Sequence, residues 1–94
     1  MRPISQRTLA RIQKILDLLR NVDQLHIRGI ARFIGCHHVS VARILESYLD
    51  NVIDIREIDQ FGIRAKLISL KPDKRETTLD DVLHYIEVKR RIRS

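Results

Sequence analysis

The sequence has no tryptophan, one cysteine, two prolines, three glycines and only four aromatic residues. Each scarcity excludes something. A lone cysteine, Cys36, cannot close a disulfide within the chain, so this is no disulfide-stapled secreted scaffold. A single thiol without a recognisable leader predicts a reducing, cytoplasmic setting. Phe33, Tyr48, Phe61 and Tyr85 are too few and too scattered for the aromatic platform on which single-stranded nucleic acids stack. No uncharged run approaches the ~20 apolar residues of a membrane span, so no membrane partner is expected. Scarce glycine and proline leave no low-complexity tract.

Catalytic patterns are missing too. There is no glycine-rich phosphate loop, no paired-carboxylate geometry and no nucleophile with an evident base, so neither enzyme activity nor a cofactor is expected, and no small-molecule ligand is identified. His26, Cys36, His37, His38 and His84 invite a metal reading. Three ligands in immediate succession cannot readily converge on one tetrahedral ion, and neither a C-x-x-C nor an H-x-x-x-H pair occurs, so no metal is expected. Cys36 reads as a small residue of a turn, with a redox-sensing thiol as its alternative.

What remains is a basic chain of ordinary globular composition. Its 94 residues are 44 % hydrophobic and 32 % charged, with eighteen Lys and Arg against twelve Asp and Glu, a net +6. That length predicts one domain, 1–94, and that charge points to a polyanionic partner. Leu9, Ile12, Ile15, Leu16 and Leu19 recur at helical spacing behind a capping Ser5, with Arg7, Arg11 and Lys14 on the opposite face. A loop over 21–24 follows. A short helix over 27–34 is stopped by Gly35, and a third helix runs from His37 or His38 to Leu49, with Val41, Ile44, Leu45 and Tyr48 inward.

From Val52 the period drops from 3.6 to 2, and 52–70 reads as a β-hairpin around a three-residue loop, Gln60-Phe61-Gly62. If Asp59 pairs with Ile63, then Ile53, Ile55, Ile63, Ala65 and Leu67 share an apolar face, and Arg56, Arg64 and Lys66 share a cationic one. Ile68 and Leu70 then fall on the cationic side, which predicts a bulge or a change of environment near the hairpin base. After a polar connection, Thr77 or Thr78 caps a last helix over 78–93, with Asp80 and Asp81 at its start and Lys89, Arg90, Arg91 and Arg93 at its end.

The sharpest pattern is Ala31, Gly35 four residues on, and Val41 six beyond. Two helices crossing through a tight turn need a small residue where they meet, glycine where the chain reverses and a branched apolar residue to pack the second on the first. The segment IRGIARFIGCHHVSVARILESYL resembles the helix-turn-helix family and, with the hairpin after it, the winged helix-turn-helix proteins, over Arg7 to about Leu70. The small size, basic charge and additional terminal helix look like the dimeric transcription regulators of archaea and their viruses. The expected fold is thus mainly α, within α+β: a three-helix core, a hairpin wing at 52–70 and an extra C-terminal helix.

The resemblance implies a reader unit, 27–49, whose third helix enters the major groove of double-stranded DNA with its N-terminal half. There His37, His38, Ser40 and Arg43 point away from the packed face. Arg43 is the candidate base contact, since a guanidinium can bond O6 and N7 of guanine together, with surface pairing to Glu46 or Asp50 as its alternative. Arg56, Arg64 and Lys66 on the wing are expected on the phosphate backbone or in the minor groove.

On the last helix Leu79, Val82, Leu83 and Ile86 make one apolar stripe and Tyr85, Val88 and Ile92 a second. A domain this small covers one. The surplus predicts a homodimer whose interface draws on Leu79, Val82, Tyr85, Ile86, Val88 and Ile92. The resulting expectation is a homodimeric transcription regulator that binds duplex DNA sequence-selectively. The alternative is a winged-helix protein-interaction module without specific DNA binding.

Overall fold

The computed structural model describes residues 4–93. Helix α1 spans Gln6–Asn21, strand β1 Leu25–His26, helix α2 Ile27–Ile34 and helix α3 His38–Tyr48. Strands β2, Ile53–Gln60, and β3, Ile63–Leu70, form the hairpin; a 3-10 turn, Pro72–Lys74, leads to helix α4, Leu79–Arg93. Ser5 starts α1 as expected, its hydroxyl accepting the Thr8 N–H at 3.1 Å. Gly35 ends α2 in the left-handed region, φ 75° and ψ 39°, and both its own N–H and that of Cys36 return to the Ala31 carbonyl, at 2.9 and 3.0 Å. Only glycine enters that region without a steric cost, which is why the reversal sits there.

The core is one cluster. Ile12, Ile15, Leu16 and Leu19 of α1 meet Ile30, Ala31 and Ile34 of α2, Val41, Ile44 and Leu45 of α3, and Ile53, Ile68 and Leu70 from the base of the hairpin. Ala31 and Val41 are both buried within it, as the helix crossing requires. Val82 and Ile86 attach α4 to the same cluster. Arg20 fastens the end of α1 to the approach to α4: its guanidinium donates to the Thr77 carbonyl at 2.6 Å, and Arg75 donates to the Arg20 carbonyl at 2.8 Å.

The sheet corrects the expected hairpin. Its order is β1-β3-β2, antiparallel throughout, and Gln60 pairs with Ile63 across a two-residue turn, Phe61-Gly62. Asp59 faces Arg64 instead of Ile63, a slip of one residue. The slip exchanges faces: Ile53 and Ile55 now stand with Ile68 and Leu70, whereas Ile63, Ala65 and Leu67 stand with Arg56 and Ile58. No bulge forms, because Ile68 and Leu70 reach the core directly. The turn must then hold both residues at positive φ, 54° for Phe61 and 75° for Gly62. Left-handed backbone costs a non-glycine residue about 1–2 kcal/mol, whereas burying each large aliphatic side chain is worth ~1.5–3 kcal/mol. Two such side chains therefore decide the register against the turn.

Strand β1 lies within what reads as the loop-to-helix passage. It pairs with β3 through Leu25↔Ile68 and His26↔Leu67 alone.

Candidate functional site

The start of α3 is built by His37. Its backbone is extended, φ −73° and ψ 145°, and its Nδ1 accepts the Val39 N–H at 3.2 Å, so the imidazole serves as helix cap. Nδ1 is thereby occupied as an acceptor, leaving Nε2 as the nitrogen free for an outside partner. The His38 ring stacks on that of His37 with centroids 4.4 Å apart and planes inclined by 29°. The two histidines form one platform at the tip of the helix.

Beyond them, Val41, Ile44 and Leu45 turn inward and are buried. The opposite face, at helical spacing, carries Val39, Arg43 and Glu46, all exposed, with Ser40 half-buried beside them. Arg43 does not make the surface pair with Glu46 or Asp50 that its sequence neighbourhood allows, and it takes part in no ion pair among the described residues. Asp50 is engaged by Lys89 of α4 at 3.1 Å. The guanidinium of Arg43 thus stands on the outward face uncommitted. His37, His38, Ser40 and Arg43 are therefore brought together over the first two turns of α3.

The wing residues are divided. Arg64 and Lys66 share one face, but so do their cross-strand partners Asp59 and Glu57, so that face is charge-balanced rather than cationic. Arg64 lies 3.9 Å from Asp59, an exposed and loose pair worth little in water. Arg56 projects from the other face and donates to the Gln24 side chain at 2.9 Å. The expected trio is therefore a pair and an outlier, for the reason already given: the register is one residue away from the one that would align them.

A basic grouping that the sequence did not reveal compensates. Because β1 is only two residues long, the outer edge of β3 over 63–66 has no neighbouring strand there. Along it runs a groove of about 400 Å³ bordered by His26, Ile27 and Arg28 at the start of α2 and by Ile63, Arg64, Ala65 and Lys66. Four of those seven residues are cationic or can become so, and none is acidic. Helix α2 also starts without a side-chain cap and with no acid in its first turn, so its N-terminal N–H groups add positive potential on this side. Arg28 was not singled out because local sequence places it merely on a solvated helix face. Only the pairing of β1 with β3 brings it to the wing.

The terminal helix also differs from expectation. Val82 and Ile86 are buried within the chain and Leu79 is partly buried against the same core, so little of this stripe is left exposed. Their stripe is the one the domain covers for itself. Tyr85 is half-buried, its hydroxyl donating to Asp50 at 3.4 Å. Val88 and Ile92 remain outward, Ile92 with 80 % of its surface in solvent.

No helix among the described residues is long and apolar enough to cross a membrane, and no group of three His, Cys, Asp or Glu among them is placed to hold a metal ion. No family model matches the sequence, and no curated protein matches it. Among solved structures it is similar to the crystal structure of the S. aureus MepR–DNA complex, with a TM-score of 0.58 and 17 % identity, covering 96 % of this chain and 73 % of that one. At that identity the likeness is one of fold. The fold is a mainly helical winged helix-turn-helix: three helices, a hairpin wing and an additional C-terminal helix.

Proposed function

We propose that the chain binds double-stranded DNA as a homodimeric transcription regulator, with α3 in the major groove and the wing on the backbone or in the minor groove. The observation that carries this reading is the outward face of α3, where a capped, stacked histidine pair and an uncommitted Arg43 occupy the N-terminal half of a helix whose other face is core. That is the half that reaches base edges when a helix of this motif docks. The groove between α2 and β3, lined by His26, Arg28, Arg64 and Lys66, supplies phosphate contacts, and the net charge of +6 favours a polyanion. The structural neighbour was itself crystallised with DNA. The second copy is assigned to the exposed end of α4, at Val88 and Ile92, with 27–49 as reader unit and 52–70 as wing. The narrower likeness to archaeal and viral regulators rests on size, charge and the terminal helix alone.

Titration of duplex DNA at several salt concentrations tests the reading. Arg43→Ala is expected to lose about 1–3 kcal/mol at the preferred site and to relax discrimination there. Lys66→Ala weakens all sequences alike and lowers the salt slope by about one. Equal losses on preferred and random DNA remove Arg43 as the reader. A chain with no salt-dependent affinity for any duplex is instead the protein-interaction module.

A further inference from the structure

We propose that Val39 reads the 5-methyl group of a thymine in the major groove, within about two base pairs of the base bonded by Arg43. This rests on the DNA-binding reading and adds to it a second specificity-determining residue, whose ligand is apolar.

Val39 is anomalous where it stands. It sits in the first turn of α3 with 45 % of its surface exposed, on the face away from Val41, Ile44 and Leu45. Folding gains little from it there. A β-branched side chain is a poorer helix former than alanine, and this one stays partly in water outside the core. Its backbone N–H is what the His37 cap needs, and any residue except proline provides that. The valine side chain therefore takes no part in the core.

Its position gives it a task outside the chain. Residues four apart on a helix are neighbours on the same face, so Val39 adjoins Arg43. The other side chains singled out at that tip are polar, the stacked His37 and His38, Ser40 and the Arg43 guanidinium, with half-buried Ala42 the apolar neighbour three residues on. A small apolar patch flanked by hydrogen-bonding groups suits a surface of the same composition. The major-groove edges of the base pairs are donors and acceptors throughout, except for the thymine methyl group. Phosphates and sugars offer no such apolar partner at this depth, and cytosine presents only a hydrogen at the equivalent carbon. Contact with Val39 therefore separates T·A from C·G, while Arg43 selects guanine. Four residues advance roughly 6 Å along the helix axis, close to two base-pair steps of ~3.4 Å. The preferred half-site should then carry a thymine within about two base pairs of the guanine.

The experiment selects duplexes with the wild-type chain from a random pool, then resynthesises the best site with deoxyuridine in place of each thymidine in turn. Deoxyuridine pairs identically and lacks only the methyl group. Affinities are measured for wild type and Val39→Ala. One position is expected at which the wild type loses about fourfold on removal of the methyl, the worth of one buried carbon. Val39→Ala should bind the two versions alike. Because alanine is the better helix former and Val39 lies outside the core, the variant should melt no lower than wild type, so a loss of affinity is not a loss of fold. A wild type insensitive to deoxyuridine at every position overturns the proposal, as does a Val39→Ala chain that keeps the same thymine preference. A wild type that binds no duplex at all overturns the DNA reading itself, and this proposal with it.

Discussion

Lys89 places its ammonium 3.1 Å from the Asp50 carboxylate, and the same oxygen accepts the Tyr85 hydroxyl at 3.4 Å. Asp50 follows the C-terminal end of α3, so three side chains fix the second half of α4 on the end of the helix assigned to reading DNA. Lys89 also lies 5.5 Å from the centroid of the Tyr85 ring.

Both Asp50 and Lys89 are partly exposed, so their coupling is modest. A double-mutant cycle with Asp50→Ala and Lys89→Ala should return roughly 0.2–1 kcal/mol of interaction, falling as salt is raised. The effect on DNA affinity should exceed the effect on stability, because orientation matters to the former. A cycle with no coupling at low salt removes this contact from the account.

The start of α4 carries a pH dependence. The Thr78 N–H donates to the Asp81 carboxylate at 3.0 Å and the Asp81 N–H to the Thr78 hydroxyl at 3.2 Å, a reciprocal cap. The Thr78 backbone donor, then its hydroxyl, holds the Asp81 carboxyl below its ordinary 3.8. A carboxylate depressed in the folded state contributes stability that is complete above its unfolded value and is lost as pH falls through the folded one. Asp81→Asn should therefore be less stable than wild type at neutral pH, with the difference closing in the acid range below 3.8. Melting curves from pH 7 to pH 2.5 check this, and a difference constant across that range refutes it.

How much of this was legible beforehand depends on whether the cause was local. Gly35, Ala31 and Val41 announce the helix crossing because a left-handed stop and a close approach each demand a residue type, whatever lies elsewhere in the chain. The cap at Ser5 is legible for the same reason. The hairpin was located, but its faces were not, since they hinge on one residue of register. That register is set by burying Ile68 and Leu70 against the helices, at the cost of a left-handed Phe61 that no turn preference foretells. Strand β1 exists only through its partners Ile68 and Leu67, and two residues have no period to read. Arg28 joined the basic groove by that same pairing. On α4 the two stripes were visible, but which one the chain keeps for itself is decided by where α1 and α3 lie.

The two left-handed glycines separate local strain from global stability. A Cβ added at Gly35 or at Gly62 meets nothing within 4 Å, so the cost of alanine at either is backbone conformation alone. Gly35→Ala should lose about 1–2 kcal/mol and Gly35→Val more, since a branched side chain tolerates that region worst. Gly62→Ala should lower the melting temperature less, because the wing tip is exposed and can fray without opening the core. Equal losses at the two sites mean that the hairpin tip is part of the cooperative unit.

Dimerisation is assigned to the outward end of α4 because Val82 and Ile86 are already spent within the chain, whereas Val88 and Ile92 are not. Ile92→Asp and Val88→Asp each place a charge where two copies would meet, without touching the core. Each variant should sediment at half the mass of the wild type while keeping its helical spectrum. DNA affinity should fall by more than any single phosphate contact provides. A second reading helix held by its partner acts at about millimolar effective concentration, and that advantage disappears entirely when the subunits part. The same linkage predicts that the preferred site is a pair of half-sites related by two-fold symmetry. A wild-type chain that sediments as a monomer at micromolar concentration removes the interface and, with it, the symmetric site.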